Sequence, residues 1–209
     1  MTERYQDYVI KGGQFVGKFE EMYQKFDDPW EQKAAAVSYV RHSTLFTLEY
    51  LQAKKVLEIG CGLGYFSHYI HEHLPYLQLT GMDISSTAVQ KAKAKFPELS
   101  FVEGDVMREI PPCPRGGGIC YDTLLLSEIM WYILEGIDAV LANIRESGAK
   151  YLIVNQTFYK GGQKYGTDFF TTPEEMTKFL PFKLLVSESV NIETKGSYDA
   201  HMVYEVADK

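Results

Sequence analysis

Val56-Leu57-Glu58-Ile59-Gly60-Cys61-Gly62-Leu63-Gly64 is the stretch that decides the fold. Val56, Leu57 and Ile59 make a short apolar run suited to a strand buried on both faces, as in a parallel sheet covered by helices. Three glycines at alternate positions then let the backbone come close to a ligand, and a helix is expected from Tyr65. The free N–H groups at that helix's N-terminus give a polar ligand group a place to sit. Dinucleotide sites also carry a glycine-rich turn after a first strand, but with G-x-G-x-x-G spacing. Here the third glycine comes one place early, and Glu58 stands two residues before Gly60.

Downstream of the turn, strand and helix patterns alternate, which predicts a parallel sheet with helices on both faces. The expected order is strand 55–59, helix 65–74, strand 77–82 closed by Asp83, helix 86–95, and strand 100–102 ending in Gly104-Asp105. A surface loop is expected over 110–119, where prolines and glycines exclude regular structure, with Arg115 to Gly118 as a weak anion candidate. Strand 123–126, a long helix over 127–147 and strand 151–155 follow, then a long loop over 156–172. Thr172-Pro173-Glu174-Glu175 caps a helix to about residue 180, and strands 182–192 and 201–206 complete the chain. Upstream, Phe15, Phe19, Met22, Tyr23, Phe26 and Trp30 recur at helical spacing. Asp28-Pro29-Trp30-Glu31 reads as the start of a second helix that carries Tyr39, Arg41 and His42 toward the glycine turn. These N-terminal helices pack on the core or lie as a lid over a site built on the first strand's end.

The 209 residues suit one domain, 1–209, divided into a helical cap (1–50) and a Rossmann-like core (51–209). A net charge of -7, from 21 basic and 28 acidic residues, argues against nucleic acid as a partner. Cys61, Cys113 and Cys120 show no C-x-x-C spacing, so neither a zinc site nor a disulfide framework is expected, and no metal is assigned. The N-terminus lacks an export pattern and no apolar run approaches membrane-spanning length. A cytoplasmic monomer or homodimer with no membrane partner is the expectation.

Four strand ends deliver polar groups to one crevice: Glu58, Asp83, Asp105 and the pair Ser127-Glu128. A carboxylate at Asp83 is placed to accept hydrogen bonds from a ribose diol, and Asp105 lies one strand further on, toward an adenine amino group. With these residues the chain resembles the class I S-adenosylmethionine-dependent methyltransferases. Their first motif matches Glu58-x-Gly60-x-Gly62-x-Gly64, and their acids after the second and third strands match Asp83 and Gly104-Asp105. Their approach to strand four matches Tyr121-Asp122 running to Leu126, and the likeness covers about residues 30–206. It implies an α/β, Rossmann-like, seven-stranded, mostly parallel sheet whose last strand lies antiparallel beside the fifth. It also implies S-adenosyl-L-methionine as cofactor. Gly60, Cys61, Gly62 and Gly64 would then form the turn at its amino acid portion, with Glu58 before them. Asp83 would hold its ribose, Ile84 would pack on its adenine, Asp105 with Val106 would address the adenine's edge, and Ser127 would lie under its methionine part. Arg41 pairs with the cofactor carboxylate or forms a surface salt bridge.

Methyl transfer from a sulfonium is an in-line displacement, so positioning dominates and a base is needed only where the acceptor carries a proton at attack. Glu128 is the first candidate for that role, followed by Tyr132, His42 and His201, each histidine being more often structural. The segment Leu126 to Tyr132 lacks the Pro-Pro-aromatic signature of nucleic acid amino-methylating enzymes. Together with Asp28-Pro29-Trp30 it resembles a small-molecule branch that includes the nodulation N-methyltransferases. That implies a small polar acceptor, such as a sugar or a phosphorylated precursor, with methylation at oxygen or nitrogen. Tyr159, Lys160, Lys164, Tyr165 and Asp168 are its expected contacts. The competing readings are an NAD(P)-dependent Rossmann oxidoreductase and a binding protein that keeps the cofactor pocket without chemistry.

Overall fold

A computed structural model describes residues 4–34, 38–111, 120–161, 163–191 and 196–206. A 3-10 turn (Tyr5–Tyr8) precedes a hairpin, β1 (Ile10–Lys11) and β2 (Gln14–Phe15), then helices α1 (Phe19–Lys25) and α2 (Tyr39–Tyr50). Next come β3 (Lys55–Ile59), α3 (Tyr65–His73), β4 (Gln78–Asp83), α4 (Ser86–Lys95), β5 (Ser100–Glu103) and β6 (Thr123–Ser127). Two short 3-10 turns lead to α5 (Ile137–Glu146), β7 (Tyr151–Tyr159), α6 (Pro173–Phe179), β8 (Lys183–Asn191) and β9 (Ser197–Glu205).

Seven strands form one sheet in the order β5-β4-β3-β6-β7-β9-β8. The pairs from β5 to β7 are parallel, and β9 runs antiparallel between β7 and β8, as the resemblance implied. Side chains alternate across the strands and divide the core between two faces. Leu57, Ile59, Leu124, Leu126, Leu152 and Val154 pack with Val140 and Ile144 of α5 on one face. On the other, Val56, Leu125, Ile153 and Val203 pack with Phe66 and Ile70 of α3 and Leu45 and Leu48 of α2. Each such leucine, taken fully from water, contributes about 1.5–3 kcal/mol.

Because β3 pairs in parallel with β4 on one side and β6 on the other, the strand order reverses there. Connections leave toward opposite faces at that point, and a crevice opens beyond the strands' C-terminal ends.

Four expectations change. The helix expected over 127–147 starts only at Ile137. Glu128 adopts φ 64, a left-handed turn that no helix tolerates, and 3-10 turns Met130–Tyr132 and Leu134–Gly136 follow. The N-terminal aromatic stripe is not one helix, since Phe15 lies in β2 and α1 has seven residues, yet Phe15, Phe19, Phe26 and Trp30 still pack around buried Met22 and Tyr23. Asp28 starts a turn rather than a helix, its carboxylate accepting from the N–H groups of Gln32 and Lys33, and α2 begins separately under a Ser38 cap. Cys120 is disulfide-bonded, against expectation, while Cys61 is a buried free thiol. The anion reading of Arg115 to Gly118 lies outside the described residues.

Candidate functional site

The crevice holds a cavity of about 470 Å³, within the range of small-molecule sites. Its floor is built by strand ends. Glu58, Ile59 and Gly60 come from β3, Asp83 and Ile84 from β4, Asp105, Val106 and Met107 from the segment after β5, and Ser127 and Glu128 from β6. Its cover comes from the N-terminal segment, where Tyr5, Phe19, Tyr23, Trp30 and Gln32 reach across, with Arg41 entering from α2.

The glycine turn works by backbone geometry. Gly60 has φ 79, and a Cβ there would collide with the Ile129 side chain. The Gly62 N–H donates to Asp83 Oδ2 at 2.8 Å, and the Ser85 N–H donates to Oδ1 at 2.9 Å. These two bonds fix the carboxylate plane while leaving lone pairs toward the cavity. Burial pushes Asp83 up to about 6, and the N–H donors limit that rise. Glu58 is raised to about 7 by burial, opposed by its hydrogen bond from Ser67 and by the nearby Arg41 charge. Burial lowers Arg41, and Glu58 and Glu128 counter it. The guanidinium lies 4.7 Å from the Phe66 ring centroid, so packing as well as charge sets its position.

Of the expected cofactor residues, Arg41, Glu58, Gly60, Asp83, Ile84, Asp105, Val106 and Ser127 all line the cavity. Cys61, Gly62 and Gly64 do not. The Cys61 side chain turns away into a cluster with Val89, Ala92 and Phe101, Gly62 lies beneath Gln32 and Tyr23, and Gly64 caps α3 against Phe101. They shape the turn rather than face the crevice. Asp105 also accepts the Met107 N–H at 2.9 Å, the turn-cap role, while still facing the cavity.

Among the four catalytic candidates, Glu128 and Tyr132 line the cavity and the two histidines do not. His42 is exposed, because the buried face of α2 runs through Val40, Thr44 and Leu48 and residue 42 falls opposite. His201 is buried on the α2 side of the sheet with both ring nitrogens engaged. The Asn155 amide donates to Thr44 Oγ1, so its carbonyl faces His201 Nδ1, which must donate, and Nε2 accepts from Thr47. That neutral tautomer is held by burial, which lowers its pKa to about 4. Glu128 is raised by burial, and the Thr157 N–H donates to its Oε2 at 3.1 Å.

Among the expected acceptor contacts only Tyr159 lines the cavity. Lys160, Lys164 and Asp168 are exposed, and Tyr165 stacks on Phe15 at 5.9 Å. Because β7 runs on to Tyr159, Gln156 and Thr157 belong to a strand end rather than a loop, and they face the cavity with Ser197 and Asp199 of β9. Extending the alternation of the last strand back to Ser197 would have put Asp199 at the crevice. No sequence signal marked Gln32, which arrives through the irregular turn after Asp28.

Residues 57–149 match the family model described as a methyltransferase domain. A 92-residue stretch is 27% identical to a trans-aconitate 2-methyltransferase of Afipia carboxidovorans, and a second of that name from Rhodopseudomonas palustris is 29% identical over 92 residues. The matched stretch is 44% of this chain and about a third, 33%, of those relatives' own length. Among solved structures, the N-methyltransferase NodS of Bradyrhizobium japonicum, in complex with S-adenosyl-L-homocysteine, superposes with TM-score 0.65 at 15% identity over 89% of this chain and 97% of that one. The [4+2]-cyclase SpnF superposes with TM-score 0.70 at 13% identity, over 94% and 97%. The fold is that of the class I S-adenosylmethionine-dependent methyltransferases, and the expected resemblance and sheet are both met.

Proposed function

We propose that the protein transfers a methyl group from S-adenosylmethionine to a small polar acceptor. The observation that carries the reading is the Asp83 carboxylate, held by two N–H donors beside the Gly60 turn and facing a cavity that also receives Arg41 and Asp105. The cofactor fits that set. Asp83 would accept from its ribose hydroxyls, Ile84 and Val106 would flank its adenine, and Arg41 would pair with its carboxylate. Gly60, where a Cβ has no room, would let the amino acid portion lie on the backbone.

When bound, the cofactor supplies a methyl group activated by a sulfonium. The chain's own work is to hold the acceptor in line, exclude water and manage a proton. The N-terminal segment covers the crevice, and Glu128, raised by burial, is suited to take a proton from an acceptor that carries one. Fold alone does not fix the chemistry, since the cyclase SpnF has the same architecture.

Calorimetry and thermal shift with S-adenosylhomocysteine, set beside NAD, test the cofactor. The sulfur ligand should stabilise the protein by about 2–4 kcal/mol at a hundredfold or greater excess over its Kd, and NAD should not. Binding of NAD alone would move the protein to the oxidoreductases. A screen of polar metabolites for release of the demethylated cofactor, with Glu128→Gln as comparison, separates an enzyme from a protein that binds without chemistry.

A further inference from the structure

The end of the cavity beyond β6 differs chemically from the cofactor end. Tyr5, Trp30, Tyr132 and Phe19 form a run of rings. The centroids are 5.0 Å apart for Tyr5 and Trp30, 5.7 Å for Trp30 and Tyr132, and 5.5 Å for Phe19 and Tyr132. On the sheet side stand two carboxylates joined through one residue. The Thr157 N–H donates to Glu128 at 3.1 Å, and the Thr157 hydroxyl donates to Asp199 Oδ1 at 2.8 Å. Rings and acids share one field, because burial and then Glu128, Tyr5 and Asp199 raise Tyr159, and burial, Tyr159 and Glu128 raise Tyr132.

The lining contains five carboxylates, Glu58, Asp83, Asp105, Glu128 and Asp199, and among the described residues Arg41 is its one cationic side chain. Arg41 already feels the charges of Glu58 and Glu128. With Asp83 and Asp105 facing a ribose and an adenine, Glu128 and Asp199 remain as negative charge beside aromatic faces. Part-buried carboxylates are costly without a counter-ion, and aromatic faces attract cations. A polycarboxylate acceptor would meet repulsion there, and the lysines that would have suited an anion lie outside the lining.

We propose that the acceptor is an amine, bound as its ammonium between the Tyr5, Trp30 and Tyr132 rings and the Glu128 and Asp199 carboxylates. Resting on the methyl-transfer reading, the step balances as follows. The ammonium gives a proton to Glu128, and the freed nitrogen lone pair forms the new N–C bond. The S–C bond of the sulfonium breaks with its electron pair staying on sulfur, leaving a neutral thioether and a methylated ammonium. The binding half of the proposal does not need the cofactor at all.

The test is a titration of the full chain with three probes of one shape, benzylammonium, benzyl alcohol and benzoate. It is read by tryptophan fluorescence and calorimetry at pH 7, with and without S-adenosylhomocysteine. Benzylammonium should bind at least about tenfold more tightly than either other probe. Glu128→Gln and Asp199→Asn, checked for folding by circular dichroism, should each narrow that gap, with benzyl alcohol little affected. Equal binding of the three, or a preference for benzoate, overturns the proposal on the unmutated protein alone. If S-adenosylhomocysteine fails to bind, the methyl-transfer reading falls, and the probe ranking is still obtained from the protein without it.

Discussion

The Gln32 side-chain carbonyl accepts a hydrogen bond from the Leu63 N–H at 2.7 Å, joining the N-terminal segment to the glycine turn. A Cβ on Gly62 would lie 2.6 Å from Gln32 Nε2 and 2.7 Å from the Tyr23 hydroxyl, so the cover rests directly on the turn. Gly62→Ala, at φ 55, adds backbone strain of about 1–2 kcal/mol and pushes both side chains away. Limited proteolysis should then cut the first 34 residues faster while the core resists. Unchanged cleavage would mean that the cover does not depend on this contact.

Asp83 gives a pH-dependent prediction. Its pKa of about 6 is raised from 3.8, and ribose hydroxyls need the ionised form as acceptor. Cofactor binding should therefore release protons near pH 6 and weaken as pH falls, by up to about tenfold per unit below that value. Calorimetry in buffers of different ionisation enthalpy reads the protons directly. Asp83→Ala should cost about 1–3 kcal/mol of cofactor affinity at neutral pH and flatten the profile.

His201 makes the fold itself sensitive to acid. Its folded pKa of about 4 lies below the ordinary 6.5, so between these values the unfolded chain binds the extra proton. Its contribution is complete above pH 6.5 and is lost as pH falls toward 4, by on the order of 3 kcal/mol. Glu58 and Asp83, raised on folding, act in the opposite direction, lending stability at low pH that is lost as pH rises through about 7 and 6. The difference in denaturant stability between the unmutated protein and His201→Gln, followed from pH 7 to 4.5, isolates the histidine. A constant difference would place the ring outside this account.

Leu125, fully buried, is where β6 meets the α2 and α3 face. Leu125→Ala should cost about 2–5 kcal/mol in chemical denaturation. It points away from the crevice, so cofactor affinity in the folded protein should change little.

The sheet and the floor of its crevice were legible from the chain because local signals and global packing agree there. Val56, Leu57 and Ile59 read as a strand buried on both faces, and that burial requires helices on either side. Asp83 and Asp105 were legible because a parallel sheet sends its strand ends to one crevice. The opposite end of the crevice was not. Glu128 occupies a left-handed conformation that helix propensity does not foresee, and the apolar period of α5 ran back over the 3-10 turns to hide it. Asp199 sits in an antiparallel strand whose start lacked alternation strong enough to extend it, and His201 looked available only because its partners Thr47 and Asn155 are far away in sequence. Long-range pairing, rather than composition, decides such positions.

Glu20, near the start of α1, accepts hydrogen bonds from Ser85, Ser86 and Thr87, directly after the Asp83-Ile84 corner. Burial opposes its ionisation, but these donors win and hold it at about 2, so the clasp stays charged across the physiological range. With Gln32 bonded to Leu63, the segment is fastened at two points near Asp83, to the glycine turn and to the start of α4. Because Ser85 also donates its N–H to Asp83, loss of the Glu20 clasp would loosen the N-terminal segment and the Asp83 corner together.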